Sequence, residues 1–170
     1  MNPMAGSGDL LLSHPGMTDP HFCGSVVLIV EHGEEGTLGL ILNKPVGMIT
    51  EELDGGEFQT VYRGGPVEKG SVWALCSEGG DETRSVLEGV HWGNASQATK
   101  RSPRRFFLGY AGWDAGQLEG ELAMDGWMVV PATQALVFDG DPGTLWARLL
   151  SGAGPEFAWV GALIGDPSRN

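Results

Sequence analysis

The feature that most constrains this chain is a pair of aliphatic runs closed by one short turn. Ser25–His32 (SVVLIVEH) and Thr37–Lys44 (TLGLILNK) flank Gly33-Glu34-Glu35-Gly36. Aliphatic and β-branched runs on either side of a glycine-bounded turn read as a β-hairpin. Neither run alternates apolar with polar residues, so neither face of the hairpin is left to water. The rest of the chain must therefore supply a covering layer for each face.

The following segments are read in the same way. Val61–Tyr62 and Val72–Cys76, around Arg63-Gly64-Gly65-Pro66 and Glu68-Lys69-Gly70, are predicted to form a second strand pair with a longer connection. Pro66 lacks a ladder donor and is confined to a loop or an edge. Ser85–Gly89 reads as a short helix and Arg105–Ala111 (RFFLGYA) as a strand. Asp114, with Gln117 three residues on and Leu118 and Leu122 at i, i+4, predicts a helix over 115–124. Trp127–Val130 and Ala135–Phe138 are expected as strands. Asp141 as N-cap, Pro142 at the first helical position, the face Leu145, Trp146, Leu149 and Leu150, and Gly152 past the end predict the last helix. Hairpins precede helices without regular alternation, which favours an α+β fold with a mixed or antiparallel sheet. Residues 1–9, small and polar, read as a disordered tail, and 10–170 as a single domain, since no linker divides them.

Charge excludes more than it selects. The chain carries 22 acidic against 10 basic residues, a formal net charge of -12, so its overall field repels phosphate backbones and anionic lipid surfaces. Direct DNA binding is disfavoured. The one local exception is the cluster Lys100, Arg101, Arg104 and Arg105. No apolar run approaches a membrane span, and the first residues lack a basic segment followed by an apolar one, so a cytoplasmic protein without a membrane role is expected. Cys23 and Cys76 form no CxxC pair and read as free, buried thiols.

Longer motifs carry a resemblance. LLLSHPGMTDPHFCGSVVLIVEHGEEGTLGLILNKP (10–45), RGGPV (63–67), FFLGYAGWDAGQLEGEL (106–122), LW (145–146) and a terminal ALIGDPSR resemble, in order and over nearly the whole chain, the AlgH/YqgE family of bacterial proteins. The resemblance implies a bifurcated sheet folded into a pseudo-barrel with helices packed outside. It implies no established activity: some members carry the label of transcriptional regulator, a genetic attribution without a DNA-binding motif. Cys76 stands where many members place His, and Asp114-Ala115 where Gly-Pro is more usual, so no role of that His carries over.

The chemistry-bearing residues leave two readings open. Asn43 and Lys44 end a strand at a rim where an amide and an ammonium can hold a carboxylate or phosphate; as structural residues, Asn43 closes a turn and Lys44 guards an edge. Arg63 with Gly64 and Gly65 adds a guanidinium and backbone donors open to close approach, or makes a structural turn. Asn43, Lys44, Arg63, Gly64 and Gly65 are thus the candidate binding residues. Gly109 and Gly112 are read as admitting Tyr110 and Trp113 against the sheet. No phosphate-loop or dinucleotide glycine spacing is present, so no cofactor is implied. His14, His21, Cys23, His32, Cys76 and His91 show no metal-ligand spacing, and no nucleophile elbow occurs, so neither a metal nor a catalytic residue is assigned. The paired acids Glu34-Glu35, Glu51-Glu52 and Asp81-Glu82 read as solvated loop charge.

The leading expectation is a non-enzymatic binding or regulatory protein whose partner is a protein or a small anionic ligand. The alternative is an enzyme acting on a small anionic metabolite between Asn43, Lys44 and Arg63. A deep apolar pocket on which those groups converge favours the enzyme; a flat surface favours the binding module.

Overall fold

The hairpin is present, and both of its faces are buried. In the structure, a computed structural model describing residues 4–49, 59–97 and 103–157, β2 (Val26–Gly33) and β3 (Gly36–Ile41) meet through Glu34-Glu35. Successive residues serve opposite layers: Val26, Leu28, Val30, Leu40 and Leu42 enter one apolar cluster, Val27, Ile29 and Ile41 another. A fully buried aliphatic side chain contributes about 1.5–3 kcal/mol, so a one-residue slip in register would exchange the two layers at large cost.

The hairpin sits within a single 10-stranded sheet, mostly antiparallel, in an α+β domain. β1 (Asp9–Ser13) pairs with β2 and with β10 (Trp127–Pro131). Of the tail expected over 1–9, residues 4–9 are described. There the Gly8 N–H donates to Ile29 O at 2.9 Å and Asp9 already opens β1, so these residues are tied to the sheet.

The bifurcation implied by the resemblance lies on β9 (Arg104–Asp114). One edge of β9 pairs with β6 (Val67–Cys76). The other pairs first, in parallel, with β5 (Gln59–Arg63) over Phe106–Leu108 and then, antiparallel, with β3 over Ala111–Asp114. β5 and β6 therefore do not form the expected strand pair: β9 enters between them, and Pro66 lies in the connecting loop. β4 (Pro45–Ile49) pairs with the free side of β5. β7 (Arg84–Leu87) and β8 (Val90–Asn94) form a hairpin where a short helix was expected, turning at Glu88-Gly89 with Gly89 at φ 77°. A positive φ favours a tight turn over a helix.

One cluster draws Leu12, Leu28, Leu40, Leu75, Val90 and Phe107 together from strands along the whole sheet, so the sheet curls around it and brings β7 against β2. It is not closed into a barrel: β10 and β7 end the strand order without pairing with each other. α1 (Gln117–Ala123) covers the opposite face with Leu118 and Leu122. Its N-cap is Gly116 in the left-handed region; Asp114 is the last residue of β9, and its N–H donates to the Gln117 side chain at 3.0 Å. α2 (Gln134–Phe138) replaces the strand expected at Ala135–Phe138, because Thr133 caps it by accepting the Leu136 N–H at 3.1 Å. α3 (Leu145–Ser151) follows a 3-10 turn at Pro142–Thr144 in which Asp141 accepts the Gly143 N–H, as the capping pattern predicts. Both helices pack against the enclosed cluster. No helix among the described residues is long and apolar enough to cross a membrane.

Candidate functional site

The five residues singled out by sequence meet at the fork of the sheet. Pro45 opposes Tyr62 in the β4–β5 ladder, and the Arg63 N–H donates to Lys44 O at 2.7 Å, so 43–44 and 63–65 are neighbours along the backbone. Their polar groups are largely engaged by the protein itself. Asn43 Oδ1 accepts the Val26 N–H at 3.0 Å, and its amide donates to Gly24 O at 2.9 Å. Lys44 Nζ donates to Cys23 O at 2.5 Å. Gly64 N–H donates to Leu108 O, and Gly64 O accepts the Ile41 N–H, so this glycine bridges the two strands that diverge at the fork. A Cβ on Gly65 would lie 2.0 Å from Tyr110 C and 2.2 Å from Ala111 N: the close approach that paired glycines permit is made by β9. The Arg63 side chain is exposed, with no hydrogen bond or ion pair among the described residues.

None of these five residues lines the large cleft of about 870 Å³, which lies where the β2–β3 hairpin runs past its neighbours. That cleft is formed by Val30, Glu31, His32, Glu34, Glu35 and Leu38 of the hairpin, with Arg84 and Ser85 of β7, Val67 of β6, and Tyr110, Gly112 and Asp114 of β9. Arg84 donates to Glu31 Oε1 at 2.6 Å, and His32 Nδ1 is 2.7 Å from Thr37 Oγ1. His32 Nε2 stands 3.6 Å from Glu119. Sequence reasoning missed this site because its walls come from five strands, three of them outside the hairpin; the hairpin turn was visible, but the curl that brings β7 beside it was not. Among the described residues, no three His, Cys, Asp or Glu side chains gather as metal ligands. Neither cysteine forms a disulfide; Cys76 is buried as expected, whereas Cys23 is exposed, because it lies in the polar loop after β1.

The basic cluster is only partly described, Lys100 and Arg101 lying outside the described residues. Arg105 turns inward: its guanidinium donates to Val137 O at 3.0 Å, Phe138 O at 2.9 Å and the Tyr62 hydroxyl at 3.0 Å. Arg104 lies 5.7 Å from the centroid of the Phe106 ring, and burial lowers its pKa from the usual value.

The profile of the AlgH-like family matches residues 10–158. The chain belongs to this family. UPF0301 proteins of Chlorobaculum tepidum and Thermobifida fusca are 36% and 34% identical to it, over 90% and 100% of this chain and 89% and 98% of theirs. The solution structure of the AlgH protein of Pseudomonas aeruginosa, 30% identical, matches with a TM-score of 0.69 over 86% of this chain and 87% of that one. A crystal structure of a Corynebacterium diphtheriae protein, 22% identical, has the same fold, with a TM-score of 0.76 over 94% of this chain and 93% of its own. These AlgH-like relatives are uncharacterised in activity, so the site must be read from its own chemistry.

Proposed function

We propose that this AlgH-like protein is a cytoplasmic, non-enzymatic binding protein that acts in regulation through a partner rather than by contacting DNA. The observation carrying this reading is that Asn43, Lys44 and Arg63 do not converge on a cavity: two of the three side chains brace the backbone at 23–26, and the Arg63 guanidinium is exposed with no partner among the described residues. In the cleft, Thr37 lies beside His32 as a nucleophile lies beside its base, but it is 3% exposed and faces His32 across the hairpin, which supports reading its hydroxyl as a cross-strand partner.

The test is incubation of the full chain with a cell metabolite extract, followed by mass spectrometry over time. No metabolite is expected to be consumed. Time-dependent loss of a phosphorylated or carboxylated metabolite, absent with heat-denatured protein, would replace this reading with the enzyme.

A further inference from the structure

The inference rests on the binding reading and concerns the large cleft. Its floor is the stretch of β9 from Tyr110 through Gly112 to Asp114; Trp113 also borders the cleft, although it packs with Ala111 in the opposite apolar layer. A Cβ on Gly112 would stand 3.7 Å from the Tyr110 ring and 3.8 Å from a Val67 methyl, ordinary contact distances, so the missing side chain leaves room walled by apolar groups. Val67 is itself 36% exposed. Around this apolar seat the charge is one-sided. The lining holds four carboxylates, Glu31, Glu34, Glu35 and Asp114, against the single guanidinium of Arg84, and Arg84 is already paired with Glu31. Glu34, Glu35 and Asp114 are exposed and have no ion-pair partner among the described residues.

The backbone at the wall adds a further element. β1 pairs with β2 only over Val26–Leu28, and the Gly8 N–H reaches Ile29 O, so among the described residues β2 beyond Ile29 has a ladder partner on the β3 side alone, with β7 packed near it. An unpaired strand edge offers donors and acceptors to an extended chain. Net charge -12 over the whole protein favours encounter with a cationic partner.

We propose that the cleft docks an extended basic segment of a partner protein, with one apolar side chain seated over Gly112 between Tyr110 and Val67 and with Lys or Arg on both sides facing Glu34, Glu35 and Asp114. The segment is recognised by an apolar anchor and flanking positive charge, and its binding weakens with salt.

The probe is an immobilised array of hexapeptides with an apolar centre and flanks of Lys/Arg, Gln or Glu, read with the full-length labelled protein. Basic flanks are expected to retain at least about tenfold more protein than Glu flanks, a difference of about 1.4 kcal/mol. Gly112→Leu, at an exposed strand position where an added Cβ meets only ordinary contacts, is expected to remove that retention, and the triple variant E34K/E35K/D114K to reverse the charge preference. Circular dichroism of both variants is expected to match the unaltered protein, since all four positions are exposed. Equal retention on basic and acidic flanks, or a basic preference surviving both substitutions, would overturn the proposal. A failed array with no metabolite consumed in the extract removes only this ligand class; a metabolite consumed removes the binding reading itself.

Discussion

Glu121 Oε1 accepts the indole N–H of Trp127 at 3.2 Å, and that of Trp113 at 3.4 Å, so one carboxylate oxygen of α1 fixes both tryptophans of the layer beneath it. Phe22 lies 5.9 Å from Trp113 and 5.5 Å from Trp127, ring centre to ring centre, and depends on the same arrangement. Glu121 Oε2 is buried without a hydrogen-bond partner among the described residues. Losing the acceptor should therefore matter more than losing the charge. Glu121→Ala leaves two indole donors unpaired and is expected to cost about 2–4 kcal/mol, whereas Glu121→Gln keeps an acceptor oxygen and is expected to stay within about 1 kcal/mol of the parent. Urea unfolding monitored by tryptophan fluorescence checks this, and equal losses for the two variants would contradict it.

Gly65 predicts a sharper effect. Its backbone is packed against that of Tyr110 and Ala111, at distances no Cβ can occupy, and the atoms in the way are main chain rather than a movable side chain. Gly65→Ala is expected to cost more than about 3 kcal/mol or to prevent folding, because β9 must separate from the loop joining β5 to β6. Gly70→Ala, with nothing within 4 Å of the added carbon, is expected to change stability by less than about 0.5 kcal/mol. Thermal denaturation of both variants separates a true steric limit from a general intolerance of alanine in this turn region.

Arg105 joins β9 to the end of α2. It donates to the Val137 and Phe138 carbonyls, which lie in the last turn of that helix, and to Tyr62, over whose ring it also sits at 5.7 Å. A planar fork makes three such contacts at once, and a Lys ammonium does not. Arg105→Lys is expected to cost about 1–3 kcal/mol and Arg105→Ala somewhat more. Hydrogen exchange should show α2 opening first in both variants, and unchanged protection of α2 would contradict the capping role.

These elements show what was legible in the sequence. The β2–β3 hairpin was, because its turn and its two aliphatic runs are adjacent and self-sufficient. The pairing of β5 and β6 was misjudged because the strand that enters between them arrives some 30 residues later in the chain, at Arg104–Asp114, and loop closure over that distance leaves no local mark. Ala135–Phe138 has strand-like composition, yet a cap at Thr133 and the guanidinium of Arg105 make it a helix; the first signal is local and weak, the second comes from another strand. At the candidate site, the glycines of RGGPV were legible as a place of close approach, but the sequence does not say whether a ligand or β9 makes it. The cleft was not legible at all, since Gly112 marks an opening only once Val67 and Tyr110 flank it.

Duplex DNA is expected not to bind at about 150 mM salt with protein near 1 µM. The net charge is -12, and of the four clustered bases Arg105 is committed to carbonyls inside the fold. A gel shift with a short duplex is sufficient. Submicromolar binding that disappears in Arg104→Glu would show that a basic face operates despite the overall field.

Asn43 and Arg63 give the clearest contrast, because sequence treats them alike and the structure does not. The Asn43 amide fills both of its roles inside the protein, accepting from Val26 and donating to Gly24, and Val26 is fully buried. Asn43→Ala leaves the Val26 N–H without its acceptor, so a loss of about 1–3 kcal/mol is expected. Arg63 contributes its backbone N–H to Lys44 O, which any residue but proline supplies, while its guanidinium stands exposed. Arg63→Ala is therefore expected to change stability by less than about 0.5 kcal/mol. Thermal denaturation of the two variants, each with and without added phosphate or citrate, also tests whether the exposed guanidinium holds an anion. If it does, the anion raises the midpoint of the parent and of Asn43→Ala but not of Arg63→Ala. A larger loss for Arg63→Ala than for Asn43→Ala would instead mean that Arg63 holds the fork together and that the open position lies elsewhere.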